Sequence, residues 1–259
     1  MTLRNRLLAL ATLAALAAAP LALAEPTTTT AKAPATTKVA APKESADKPS
    51  PRGGIVKPDA KWMARHETYV ELAKKGGIDV YFEGDSITDG WHGSGKAVWE
   101  KEFAPLKAAN FGIGGDRTQH VLWRLQNGEL DGVNPKAVVL MIGTNNAGSN
   151  SPAEVAAGVK AIVDTIHEKA PSAKILLLAI FPRGAAPEDK LRKLNDAANA
   201  ILAKFDDGKT VKYLNINDKF LDQDGTLSKD IMGDLLHPNG KGYQIWADAI
   251  REPLKELLK

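Results

Sequence analysis

The sequence predicts an α/β protein in which about five parallel strands form a sheet covered by helices on both faces, a three-layer α/β/α sandwich. Three observations carry this. Short aliphatic runs recur along the chain at Ile78–Phe82, Lys107–Phe111, Ala137–Ile142, Lys174–Ile180 and Val211–Asn215. The clearest of them, Ala137-Val-Val-Leu-Met-Ile142, is continuously apolar rather than alternating, as strands buried on both faces are. Longer amphipathic stretches separate the runs, and such alternation gives a parallel sheet with helical crossovers.

The first residues stand outside this pattern. Met1–Arg6 is short and basic, and Leu7–Ala24 is rich in Ala and Leu and ends Ala22-Leu23-Ala24, the small-x-small pattern of a cleavage site. Residues 1–24 are therefore expected to be a secretory signal peptide, and the protein to be secreted or periplasmic. The competing reading is an uncleaved anchor, which the alanine content and Pro20 disfavour. The chain has no cysteine, which excludes a lipidated cysteine, disulfides and thiolate chemistry. After cleavage no stable membrane insertion is expected, because no later apolar run is long enough to cross a bilayer.

Residues 25–58 are rich in Pro, Thr, Ala and Lys and contain no aromatic residue. Such a composition buries too little surface to offset its ordering entropy and predicts a disordered linker. The signal carries +2 and the linker a net +3, which leaves −2 of the whole-chain +3 for the folded domain, residues 59–259. The basic character lies outside the domain and gives no reason to expect a nucleic-acid partner.

Within the domain, Lys61–Lys74 reads as a helix leading into the first strand. Arg117–Gln126 follows Asp116-x-x-Gln119, a capping-box spacing with Asp116 as the cap. Ser151-Pro152-x-Glu154 opens another helix with cap, first-turn proline and a glutamate three residues on. Lys190–Lys204 and Tyr243–Leu258 complete the set. Active sites of such sheets lie beyond the carboxyl ends of the strands, and polar motifs sit there.

Phe82-Glu-Gly84-Asp85-Ser86-Ile87-Thr88 follows the first strand. Gly84 permits a tight turn, and Ser86 would project a hydroxyl into the cleft while its N–H could face a developing oxyanion. Asn110-Phe-Gly112-Ile-Gly114-Gly115-Asp116 follows the second strand, with the Gly115 N–H a second donor. Ile142-Gly143-Thr144-Asn145-Asn146 follows the third and offers the Asn145 amide. Asp234-Leu-Leu-His237-Pro238 lies near the C-terminus, where a carboxylate three residues before a histidine can hold its Nδ1 and leave Nε2 free as a base. Taken singly, each motif has another reading: a plain strand-to-helix turn, a phosphate-binding or helix-entry glycine turn, an Asn-rich turn, a surface Asp–His contact.

The ordered conjunction resembles the SGNH (GDSL) hydrolases, and within them the branch typified by the catalytic subunits of intracellular platelet-activating-factor acetylhydrolase. Asn110–Asp116, His120-Val-Leu-Trp-Arg-Leu125, Asn127-Gly-Glu-Leu130, Gly143-Thr-Asn-Asn146 and Pro182-Arg-Gly184 carry the likeness, which runs from about Trp62 to the C-terminus. Ile87 stands where the family name implies Leu. The resemblance implies a flavodoxin-like sandwich and a serine ester hydrolase with Ser86 as nucleophile, His237 as base and Asp234 orienting it. The Ser86 and Gly115 N–H groups and the Asn145 amide would form the oxyanion hole, with no metal or organic cofactor. Members of that branch pair up, so the resemblance leaves a homodimer open.

Trp91 and His92, in the loop after Ser86, are expected to line the acyl or alcohol pocket. Arg183 is expected to meet an anionic substrate group or form a salt bridge. Asp85 is expected to fix its turn. His66, His92, His120 and His167 lack metal-ligand spacing and read as surface or packing residues. Short loops without an inserted lid point to short acyl groups such as acetyl, on a small-molecule or glycan ester. A lysophospholipid or other lipid ester is the competing substrate. A non-catalytic carbohydrate-binding module and a nucleotide-binding protein are readings from other classes.

Overall fold

The computed structural model describes residues 43–259. The twelve principal elements alternate. α1 (Ala60–Lys75) precedes β1 (Val80–Gly84), which runs into two short helices, α2 (Ser86–Asp89) and α3 (Lys96–Glu102). β2 (Ala108–Asn110), α4 (Thr118–Arg124), β3 (Ala137–Met141) and α5 (Pro152–Lys169) follow. β4 (Lys174–Leu178), α6 (Lys190–Leu202), β5 (Val211–Leu214) and α7 (Gly240–Leu257) complete the chain. The five strands are all parallel, in the order β2-β1-β3-β4-β5.

The predicted sandwich is observed, and strand alternation explains it. Tyr81, Val138, Leu140, Ile175 and Leu177 face one core, with Trp62 of α1, Val121 of α4 and Ile162 of α5. Val80, Phe82, Val139, Met141, Leu176 and Leu178 face the other, with Trp246 and Ile250 of α7. Because successive side chains point to opposite faces, covering both faces demands an unbroken apolar run. β1 has β2 on one side and β3 on the other, so the chain changes direction across the sheet there. The carboxyl ends of β1 and β3 flank this switch point, where ligand sites of open α/β sheets lie.

Helix ends follow their capping chemistry. Ser151 Oγ accepts the Glu154 N–H at 3.3 Å while Glu154 Oε2 accepts the Ser151 N–H at 2.6 Å, the predicted reciprocal box. Asp59 caps α1 and Asn239 caps α7. The helix after Asp116 differs from expectation. Asp116 does not cap it: the helix starts at Thr118, and the Arg117 N–H donates to His120 Nδ1. Asp116 is instead wholly buried, where ionic partners outcompete a capping role.

The linker expectation also needs correction over residues 43–58, which lie on the domain. Lys43 pairs with Glu154, Glu44 accepts from Gln119 Nε2 at 3.0 Å, and the Ala46 carbonyl accepts from Thr118 Oγ1 at 2.8 Å. The Ser50 N–H reaches the Gln119 carbonyl at 3.1 Å, and Pro51 is buried. The larger aliphatics of this stretch, Ile55 and Val56, are exposed. Small side chains and polar contacts dock it, which a tally of bulky apolar residues does not register. The signal peptide and residues 25–42 of the linker lie outside the described residues. Among the described residues no helix is long and apolar enough to cross a membrane.

Candidate active site

Ser86 is the first residue of α2, immediately past β1. The turn has little room: a Cβ on Gly84 would run into the Thr88 side chain and the Met141 carbonyl. Asp85 Oδ1 caps α2 through the Ile87 N–H at 3.0 Å, as expected for a turn-fixing residue, while its Oδ2 has no partner. Full burial pushes the Asp85 carboxyl up to about 7.

Ser86 Oγ lies 2.8 Å from His237 Nε2, and His237 Nδ1 lies 2.6 Å from Asp234 Oδ2. The other carboxylate oxygen of Asp234 accepts the N–H groups of Leu236 (3.0 Å) and His237 (2.8 Å). Partial burial works to raise the Asp234 pKa, but the His237 ring and these N–H donors outweigh it and hold the carboxyl below its usual range. The structure thus brings Ser86, His237 and Asp234 into one hydrogen-bonded series.

The loop after β2 packs directly on α2. The Asn110 side chain donates to the Thr88 carbonyl and accepts the Gly112 N–H, both at 2.9 Å, and a Cβ on Gly112 would strike the α2 backbone. Ordinary van der Waals distance, 3.7 Å, separates a Cβ built on Gly114 from the Ser86 Cβ. Gly115 has φ +81°, a left-handed conformation that glycine adopts without strain. Asn145 Nδ2 donates to the Asp116 carbonyl at 2.9 Å, which leaves its second N–H available. Ser86, Gly115 and Asn145 therefore come from three neighbouring strand ends.

Two of the three residues expected to touch substrate have other surroundings. Trp91 is 1 % exposed and stands in an aromatic cluster with Phe82, Trp99, Phe103, Tyr243 and Trp246. It supports α2 from behind and does not line a pocket; an indole beside a sheet face gains more by burial than by exposure to a cleft. His92, next to it, is exposed. Arg183 Nη1 donates to the Thr144 carbonyl (3.1 Å) and Oγ1 (3.2 Å), so it holds the Asn145 loop rather than a carboxylate.

Sequence reasoning did not anticipate a buried ionic cluster beneath the site. The Arg124 guanidinium is wholly buried and donates to Glu83 Oε1 (2.6 Å), Asp116 Oδ2 (2.8 Å), Glu129 Oε2 and the Phe111 carbonyl (3.0 Å). Glu129 also meets His66 Nδ1 at 2.8 Å, and Trp62 Nε1 donates to Asp116 at 2.7 Å. Burial raises Glu83 to about 8 and Asp116 to about 6, against the pull of Arg124. The available signal was Glu83 itself, since a carboxylate in a strand covered on both faces requires a buried cation. The cluster joins the end of β1, the glycine loop and α4 into one unit.

The comparisons agree with this architecture. Residues 82–245 match the model of the GDSL-like lipase/acylhydrolase family. The bovine platelet-activating factor acetylhydrolase IB subunit alpha1 is 39% identical over 216 residues, covering 82% of this chain and 90% of the relative. A GDSL-like lipase from Bacteroides thetaiotaomicron superposes with a TM-score of 0.61 at 19% identity, over 74% of this chain and 98% of that one. The acetylxylan esterase Axe2 from Geobacillus stearothermophilus superposes with a TM-score of 0.53 at 18% identity, over 70% of this chain and 94% of that one.

Proposed function

The chain belongs to the GDSL-like lipase/acylhydrolase family and is an ester hydrolase, and on that premise we propose that it removes short acyl groups, acetyl first among them, through a Ser86 acyl-enzyme. The observation that carries the mechanism is the series Ser86 Oγ–His237 Nε2–Asp234, at 2.8 and 2.6 Å. Ser86 Oγ attacks the ester carbonyl carbon as His237 Nε2 takes its proton. Asp234 keeps Nδ1 protonated and the ring oriented, and stabilises the imidazolium. The carbonyl oxygen gains negative charge, which the Ser86 and Gly115 N–H groups and the free Asn145 N–H stabilise. His237 then protonates the departing alkoxide. Water, deprotonated by His237, attacks the acyl carbon and frees Ser86.

Acetyl preference is supported by the relative's name, an acetylhydrolase at 39% identity. The alcohol half is proposed to be a glycan, met outside the cytoplasm after signal cleavage following Ala24; the acetylxylan esterase shares the fold. The relative is named for platelet-activating factor, which favours a lipid acetyl ester as the second reading. Purified protein assayed on p-nitrophenyl esters of rising chain length, acetylated xylo-oligosaccharides, lysophospholipids and an sn-2-acetyl phospholipid separates them. Acetyl is expected to be cleaved fastest, and a laurate ester cleaved far faster than acetate would overturn the short-acyl reading. Ser86→Ala retaining full activity would overturn the mechanism.

A further inference from the structure

We propose that Arg52, carried by the docked N-terminal segment, is a positioning residue that locks the Gly114–Gly115 peptide with its N–H toward the oxyanion. This rests on the acyl-enzyme reading above. Arg52 Nη2 donates to the Gly114 carbonyl oxygen and lies 3.7 Å from Asp116 Oδ1. The Gly114 carbonyl and the Gly115 N–H are two ends of one planar, trans peptide group and point in opposite directions. A cation held on the carbonyl therefore fixes where the N–H points, and it polarises the amide so that the N–H becomes a stronger donor.

The geometry around this peptide explains why such a lock is needed. The neighbouring carbonyls have their own anchors: Gly112 accepts from the Tyr69 hydroxyl at 2.9 Å and Asp116 accepts from Asn145 at 2.9 Å. The Gly114–Gly115 peptide lies between two glycines, the residues that least resist rotation about φ and ψ. A flip of that single peptide would exchange N–H for C=O and turn a carbonyl oxygen toward the developing charge. Arg52 binds the carbonyl in one orientation only. Gly115 leaves room for it: a Cβ there would come within 2.5 Å of Arg52 Nη2. The segment that carries Arg52 is anchored independently through Glu44, Ala46 and Ser50, so the side chain can change without releasing its backbone.

The test compares Arg52→Met, Arg52→Lys and Ser86→Ala in the purified protein with residues 25–259 intact, with p-nitrophenyl acetate and its thionoester, whose sulfur is a poor hydrogen-bond acceptor. Arg52→Met is expected to lower kcat about tenfold, a fraction of the roughly 10²–10³-fold loss for deleting an oxyanion donor outright. KM should change less than twofold, and the preference for oxoester over thionoester should fall. Arg52→Lys, which keeps a cationic donor, should recover at least half of the lost kcat. Wild-type kcat and an unchanged oxo/thiono ratio in folded Arg52→Met would overturn the proposal, as would a rise in KM alone, which would mark Arg52 as a substrate contact. Should Arg52→Met not fold, Arg52→Gln takes its place with a threefold loss expected, and wild-type behaviour there is equally fatal. Ser86→Ala separates the two readings: its inactivity beside a fully active Arg52→Met sinks this inference alone, whereas its full activity sinks the acyl-enzyme mechanism.

Discussion

His237 Nε2 stands 2.8 Å from Ser86 Oγ although 151 residues separate them in the chain. The contact joins the end of β1 to the loop before α7, and the proposed acyl-enzyme mechanism depends on it. His237→Ala is expected to lower kcat about 10⁴–10⁶-fold, with Ser86→Ala equally severe and the double variant no worse, because the residues act as a unit. Asp234→Asn should cost less than either, since it leaves nucleophile and base in place. Steady-state kinetics on p-nitrophenyl acetate checks the order, and additive losses in the double variant would contradict it.

Asn145 and Arg183 form a second linked pair, because Arg183 holds the Thr144 carbonyl one peptide before Asn145. Asn145→Ala is expected to reduce kcat about 10²-fold with little change in KM. Arg183→Met should give a smaller loss of the same kind, and the loss should be equal for neutral and anionic acetyl esters. A loss confined to anionic esters would return Arg183 to substrate recognition.

Arg124 bridges Glu83, Asp116 and Glu129 through one guanidinium. Arg124→Met leaves three buried carboxylates without it and is expected to destabilise the fold by about 3–5 kcal/mol. Urea denaturation followed by tryptophan fluorescence measures this. A midpoint equal to wild type would show the cluster to be dispensable.

Asp85 is buried without an ionic partner, and its pKa is raised from 3.8 to about 7. A carboxyl raised on folding binds its proton more tightly in the native state. Its contribution is fully present below pH 3.8 and is lost as pH rises toward and through 7. Asp85→Asn removes that titration. Its thermal midpoint, relative to wild type, is expected to rise between pH 5 and pH 8, and differential scanning fluorimetry across that range reads the change. A constant offset would contradict the assignment.

Much of the molecule was legible in the chain. Val138, Val139, Leu140 and Met141 read as a strand buried on both faces, and the structure divides them between the two cores. Ser151 and Glu154 read as a reciprocal cap and are one. These are local properties: periodicity and capping spacing are set within a few residues, so a short window contains the whole physical cause.

The sequence by itself thus determined the layers, the strands and the order in which Ser86, Gly115, Asn145, Asp234 and His237 follow strand ends. Only the tertiary structure decided which polar groups meet. It buried Trp91 behind α2, made Asp116 a partner of Arg124 instead of a cap, and set Arg52 on a carbonyl 62 residues away. Hydrophobic patterning carries information about burial but none about pairing. A guanidinium or carboxylate finds its partner through the convergence of loops distant in sequence, and that convergence exists only once the sheet has formed.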